Sequence, residues 1–430
     1  MPIRSLVTVS LLAVASLAGA APTGAPAPAA PAPVAAPAPA KPVATPASAV
    51  IAPPTGAPVA KPAAPAPGAP AAASPAPVTP VVAARAHLLL DFHTGQVLSE
   101  QNADARLEPA SLTKIMTAYV VFDALKNGKI RMSDQVVISE RAWKMGGSQM
   151  FIEVGKQVSV EDLLKGMVIQ SGNDASVALA EHVAGSEDVF ASLMNRHAER
   201  LGMVNSHFTN ASGLPDPALY TSARDLATLG AALVRDFPEY YPLHAMREFT
   251  FNNIVQQNRN RLLGLEAGVD GIKTGHTATA GYCLVVSGER DSMRLVGVLM
   301  GAESEKVRTA EARKLLGFGF RFFEGQKLHA ANVSLARTRV WKGEVKELDV
   351  GVASDLLVTV PRGQAGKVSE TLELNPRIVA PLRKGDTVGT VKVLFAGKEL
   401  ASRPLVALRN VEQGGFVRRW VDAAWLWWKG

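Results

Sequence analysis

Cysteine is almost missing from this sequence: Cys283 is the single one in 430 residues, so no intrachain disulfide can brace the fold. Set in the apolar run Tyr282 to Val286, it reads as a buried, inert thiol and leaves the redox compartment unreported. Basic runs interleaved with aromatics are missing too, because the cations are spread along the chain. That argues against nucleic acid as a partner, although a net charge of +7 suits contact with an anionic surface. The apolar run Leu6 to Leu17 is too short and too alanine-rich to span a bilayer. No metal or other cofactor is expected.

What is present divides the chain into parts. Residues 1–20 carry one positive charge at Arg4, the apolar run and the small residues Ala18-Gly19-Ala20, the pattern of a cleaved secretory leader. Residues 21–80 are mostly alanine and proline, with scattered Val, Thr, Ser and Gly and with Lys41 and Lys61 as the only charges. Proline removes donors and favours extended backbone, and alanine offers little surface to bury, so a disordered, semi-rigid linker is expected. Beyond it, a chain that is 47% hydrophobic can build real cores for two domains.

The chemistry starts at Pro109-Ala110-Ser111-Leu112-Thr113-Lys114, ahead of the apolar run Ile115 to Phe122. This pattern predicts a helix start with Ser111 in its first turn and Lys114 one turn above it. Burial disfavours the charged form of a lysine, so such an amine can take the serine's proton and make it a nucleophile. Alone, Ser-x-x-Lys also describes a capping serine and a solvated lysine. Two further pieces follow in order: Ser171-Gly172-Asn173 after an apolar run, and Lys273-Thr274-Gly275 before a strand-like one.

A hairpin is predicted around Phe92-His93-Thr94-Gly95, and helices over 161–170, 174–184, 187–201, 222–235 and 304–317. Strands return at 282–287 and 294–300, which fits an α+β domain whose first and last strands share a sheet. Past Gly325 come short strands at 331–340, 345–350, 356–360, 368–374, 387–395 and 404–408, separated by turns. At the end, Phe416, Trp420, Ala424 and Trp427 fall on one side of a helix, with Arg418, Asp422 and Lys429 opposite. A helix with four tryptophans and nearby cations predicts a segment over 413–430 lying in a membrane interface; the alternative is docking on the second domain.

Ser-x-x-Lys, Ser-x-Asn and Lys-Thr-Gly in this order resemble the signature of penicillin-binding proteins and serine β-lactamases. Flanking residues narrow the likeness: Gln101-Asn102-Ala103-Asp104, Gln170 to Ala175, Ser222-Ala223-Arg224-Asp225, Asn258-Arg259-Asn260, Val269 to Thr277 and Gly317 to Phe323. The chain thereby resembles the low-molecular-mass penicillin-binding proteins, serine D-alanyl-D-alanine carboxypeptidases. The resemblance implies a catalytic domain over 81–325 with an antiparallel sheet and helices, a small all-β domain over 326–411, and an anchoring helix over 412–430. It implies removal of the terminal D-Ala from peptidoglycan stem peptides through an acyl-enzyme, inhibition by β-lactams, and a location on the periplasmic face of the inner membrane.

The roles it implies are Ser111 as nucleophile, Lys114 as base and Ser171 as proton relay to the leaving amine. Asn173 would hold the acyl-side amide. Lys273, Thr274, Arg259 and Arg308 would face the substrate carboxylate, and Gly275 would let the strand approach the ligand. The N–H groups of Ser111 and His276 would form the oxyanion hole. Two departures stand out: residues 141–153 are shorter than the matching loop of relatives, and Arg261 replaces a frequent glycine. A β-lactamase is disfavoured because no plausible deacylating Glu-x-x-x-Asn element is found between Asn173 and Lys273. A D,D-endopeptidase acting on cross-links, or a non-catalytic wall scaffold, would share much of the rest.

Overall fold

The computed structural model describes residues 78–429; the secretory leader and nearly all of the Ala/Pro linker expected before them lie outside the described residues. The chain enters through β1 (Ala86–Asp91) and β2 (Val97–Gln101), an antiparallel pair. Asp91 closes the turn between them, accepting from the backbone N–H groups of His93 and Thr94, while Gly95 takes φ +74°. A 3-10 turn, Ala110–Leu112, then feeds α1 (Thr113–Lys126). All of α1 except Asp123 and Lys126 is buried, so it forms the central helix of the domain rather than a surface one.

Around α1 lie β3 (Gln135–Val137), α2 (Glu140–Trp143), β4 (Gln157–Ser159) and α3 (Val160–Lys165). The helix predicted over 161–170 is interrupted: α3 ends at Lys165 and one π-helical turn, Gly166–Gln170, carries the chain to Ser171. Next come α4 (Asn173–Ala184), α5 (Glu187–Arg200) and α6 (Ala223–Asp236). Ser186 and Ser222 cap α5 and α6, each accepting from the N–H three residues on. A hairpin of β5 (Glu248–Phe251) and β6 (Ile254–Gln257) precedes β7 (Val269–Thr277), β8 (Gly281–Arg290) and β9 (Met293–Ala302).

The main sheet runs β2-β1-β9-β8-β7, antiparallel throughout, so the first strands lie beside the last as the sequence predicts. Alternation along β8 separates two cores. Cys283 and Val285 join the one around α1, whereas Leu284 and Val286 join the one under α7 (Glu305–Phe322). The helix predicted to end at 317 continues to Phe322, because Gly319 presses α7 onto the sheet: a Cβ there would lie 2.4 Å from Leu295.

α7 passes directly into β10 (Phe323–His329), a strand the sequence reading missed, which pairs with β13 (Leu356–Pro361). Its run of Glu324, Gly325, Gln326 and Lys327 offers no apolar alternation to read. A second five-stranded sheet orders β11 (Ser334–Arg339), β12 (Glu347–Gly351), β16 (Lys398–Ala407), β15 (Thr387–Phe395) and β14 (Val368–Leu374). β16 begins earlier than predicted, because its first residues are polar but paired with β15.

α8 (Phe416–Lys429) closes the described chain. Asp422, on the face opposite the aromatic residues, is buried. It accepts from the Lys342 backbone N–H at 2.7 Å and from Arg339 at 3.4 Å. The helix is thus held to the second domain through its polar side, leaving Phe416, Trp420, Trp427 and Trp428 exposed.

Candidate active site

Ser111 sits in the 3-10 turn just before α1, half-exposed at the floor of a cleft of about 740 Å³. The turn is pinched from two sides. Ala110 adopts φ +48°, a left-handed conformation that is strained for a residue with a Cβ. Gly213, at φ +80°, lies so close that a Cβ would fall 1.9 Å from the Ala110 carbonyl oxygen. On the other side, a Cβ on Gly275 of β7 would meet the Pro109 carbonyl oxygen at 3.0 Å and the Leu112 nitrogen at 3.2 Å. Gly275 therefore lets β7 approach the nucleophile turn as well as lining the cleft.

Lys114 lies one turn on and is 1% exposed. Its Nζ donates to Asn173 Oδ1 at 2.7 Å and to the Ser212 carbonyl at 2.6 Å, and lies 3.2 Å from Ser111 Oγ. Burial lowers its pKa to about 7, opposed by the Asp174 carboxylate and reinforced by Arg259. As a neutral amine it has two hydrogens, which the two short acceptors occupy. The lone pair is then left for the Ser111 hydroxyl.

The second wall comes from the joint between the π-helical turn and α4. Ser171 takes φ +69° there, and its buried Oγ has no partner among the described residues. A buried hydroxyl without a partner has full capacity to bond a reacting group. Asn173 opens α4, giving its carbonyl oxygen to Lys114 and donating from Nδ2 to the Gly146 carbonyl at 2.7 Å. Asp174 accepts from the N–H groups of Met150 and Phe151, tying the loop after α2 to the cleft.

The third wall is β7 at the sheet edge. Lys273 is buried; burial first, then Lys114, Arg259 and Arg308, hold its pKa well below that of an ordinary lysine. Its Nζ donates to the Thr274 carbonyl at 3.0 Å. Thr274 lines the cleft, and His276 stands exposed at the rim with its ring 4.1 Å from that of Tyr282. Arg259 reaches the cleft from the loop after β6, and Arg308 from α7. Arg308 is buried, its pKa is lowered chiefly by burial, and its Nε lacks an acceptor among the described residues. Glu305 of the same cleft lies 3.6 Å from Arg308 and 3.2 Å from Arg261, so Arg259, Arg261 and Arg308 face a single carboxylate, an excess of positive charge suited to a second one.

Every residue singled out in the sequence is thus gathered at one cleft, with Lys114 and Lys273 buried in its wall. The sequence reading missed the loop that supplies the Ser212 carbonyl. Asn210 Oδ1 accepts from the N–H groups of Ser212 and Gly213, and the buried Glu187 accepts from Ala211 N–H. Asn210-Ala211-Ser212-Gly213 carries a turn signal, but nothing in it tells where the turn docks. Among the described residues, no group of three or more His, Cys, Asp or Glu could hold a metal. A serine hydroxyl beside an amine of lowered pKa, a second, unpartnered hydroxyl and a cationic end are parts suited to acyl transfer on substrates ending in a carboxylate.

Comparison with known proteins gives the same direction. A family model described as D-alanyl-D-alanine carboxypeptidase matches residues 71–304, and one described as penicillin-binding protein 5, C-terminal domain, matches residues 323–413. D-alanyl-D-alanine carboxypeptidase DacC of Escherichia coli is 48% identical over 79% of this chain and 87% of its own length. DacF of Bacillus subtilis is 38% identical over 78% of this chain and 87% of its own. The crystal structure of penicillin-binding protein 5 from Haemophilus influenzae superposes with a TM-score of 0.75 at 42% identity, covering 78% of this chain and 99% of that one.

Proposed function

The chain belongs to the D-alanyl-D-alanine carboxypeptidase family, and on that premise we propose how its residues divide the work of the reaction. The protein is a serine hydrolase that removes the terminal D-alanine of peptidoglycan stem peptides. In our reading Lys114 accepts the Ser111 hydroxyl proton as Oγ attacks the carbonyl carbon of the penultimate residue. The N–H groups of Ser111 and His276 receive the oxyanion. The C–N bond breaks, a proton reaches the leaving amine by way of Ser171, and D-alanine departs, leaving an ester on Ser111. Water attacks that ester, giving a proton to Lys114; the bond between the acyl carbon and Oγ breaks, Lys114 returns the proton to Ser111 Oγ, and the shortened peptide leaves as a carboxylate.

Lys273, Thr274, Arg259 and Arg308 hold the carboxylate of the departing residue, and the remaining N–H of Asn173 faces the acyl-side amide. A β-lactam presents a strained amide and a carboxylate to the same groups and acylates Ser111. The observation that carries this reading is the placement of Lys114 Nζ, held by Asn173 Oδ1 at 2.7 Å and the Ser212 carbonyl at 2.6 Å and lying 3.2 Å from Ser111 Oγ. Ser111→Ala tests it: fluorescent penicillin labelling and release of D-alanine should both vanish while the thermal unfolding transition stays in place. Retained labelling would move the nucleophile elsewhere.

We also propose that the protein works outside the cytoplasm as a peripheral membrane enzyme, with residues 413–430 lying in the interface and residues 21–80 as a spacer. Supporting this, α8 turns its tryptophans outward while its acidic residue is tied inward, and no helix among the described residues is long and apolar enough to cross a membrane. For the domain division read at about 325 and 411, the passage from α7 into β10 supports a boundary slightly earlier, at Phe322, and the start of α8 at Phe416 supports the second.

A further inference from the structure

A cavity of about 380 Å³ opens between α8 and the second domain, walled by Lys342, Gln413, Phe416, Arg419 and Trp420 among others. Its two cations come from separate parts of the chain, Lys342 from the segment after β11 and Arg419 from the start of α8. The Lys342 ammonium has no partner among the described residues, while Arg419 donates from Nη1 to Gln413 at 2.9 Å. Arg419 Nε is buried and has no acceptor among the described residues. A buried guanidinium N–H without an acceptor is unfavourable, and an anionic oxygen at that point would satisfy it. At the cavity are Phe416 and Trp420, 67% and 65% exposed, with ring centroids 5.9 Å apart.

We propose that this notch binds the phosphodiester headgroup of a single anionic glycerophospholipid, an assignment that rests on the membrane reading of α8. A phosphodiester carries one negative charge and accepting oxygens for a forked guanidinium, with Lys342 closing the ring of charge. Its attached glycerol and acyl chains meet the two exposed aromatic rings, which a free phosphate would leave unused. Lipid association of α8 then has a saturable component in addition to its apolar face.

The test uses the full chain and dihexanoylphosphatidylglycerol kept below its micelle concentration, read by tryptophan emission, since Trp420 lies in the notch wall. A saturable change is expected, and Arg419→Gln and Lys342→Gln should each weaken it by about tenfold, the loss of one charge-assisted bond. Lys398→Gln, at the other end of β16, removes the same charge and should leave binding unchanged. No saturable response, equal weakening by Lys398→Gln, or a matching response to inorganic phosphate would each overturn the headgroup site. Sedimentation with phosphatidylglycerol–phosphatidylcholine vesicles separates the two readings. Sedimentation without a short-chain response refutes the notch alone, and absence of sedimentation refutes the anchor. Release of D-alanine by each variant reports that it has folded.

Discussion

The Ser212 carbonyl accepts a 2.6 Å hydrogen bond from Lys114 Nζ, joining two residues 98 positions apart. This contact orients the amine, and burial lowers its pKa to about 7, so that the uncharged form is well populated near neutral pH.

The acylation rate should therefore depend on pH with a limb near 7. Below that value Lys114 is protonated and has no lone pair for Ser111; above it the amine is free and the rate levels off. Arg259 lowers the Lys114 pKa, so Arg259→Gln should move the limb to higher pH. Stopped-flow acylation by a chromogenic β-lactam across pH 5 to 9 reads this directly. A flat profile would exclude Lys114 as the base.

Gly213→Ala should damage catalysis more than stability. The added methyl would sit 1.9 Å from the Ala110 oxygen at φ +80°, so the nucleophile turn must shift. A displacement near 1 Å at the reacting group lowers kcat/KM by about a hundredfold. The strain itself destabilises by about 1–3 kcal/mol. Gly275→Ala, whose nearest contact is 3.0 Å, should have the smaller effect on both measurements.

Arg308→Gln should raise KM for stem peptides with a free terminal carboxylate by about tenfold or more, the loss of one charge-assisted bond. The same variant should treat a terminally amidated peptide nearly as the unmodified enzyme does. Equal losses on both substrates would show that Arg308 supports the cleft without touching the carboxylate.

Deleting residues 413–430 should move the protein from the membrane pellet to the supernatant and leave release of D-alanine from a soluble peptide unchanged. Continued sedimentation with membranes would refute the anchor. Reduced activity on the soluble peptide would instead mean that α8 supports the folded second domain.

The catalytic constellation was legible because each of its pieces is a short motif beside an apolar run, and such runs fold predictably. Ser212 was not, because a backbone carbonyl has no letter of its own and acts only where its loop docks. β10 escaped for a related reason: its pairing with β13 is made by main chain, and its side chains do not alternate. The hydrophobic face of α8 was readable from periodicity, but the inward turn of Asp422 depends on the Lys342 N–H, a tertiary contact. Gly319 reads as a helix breaker in one dimension and proves to be a packing device in three.

No loop separates α7 from β10, and the helix carries Glu305 and Arg308 of the cleft at one end and Phe323 at the other. Eighteen residues of helix span about 27 Å. The catalytic sheet, on which α7 is packed, is therefore joined to the second domain without a hinge loop, and any tilt between the two must bend β10 or α7 itself.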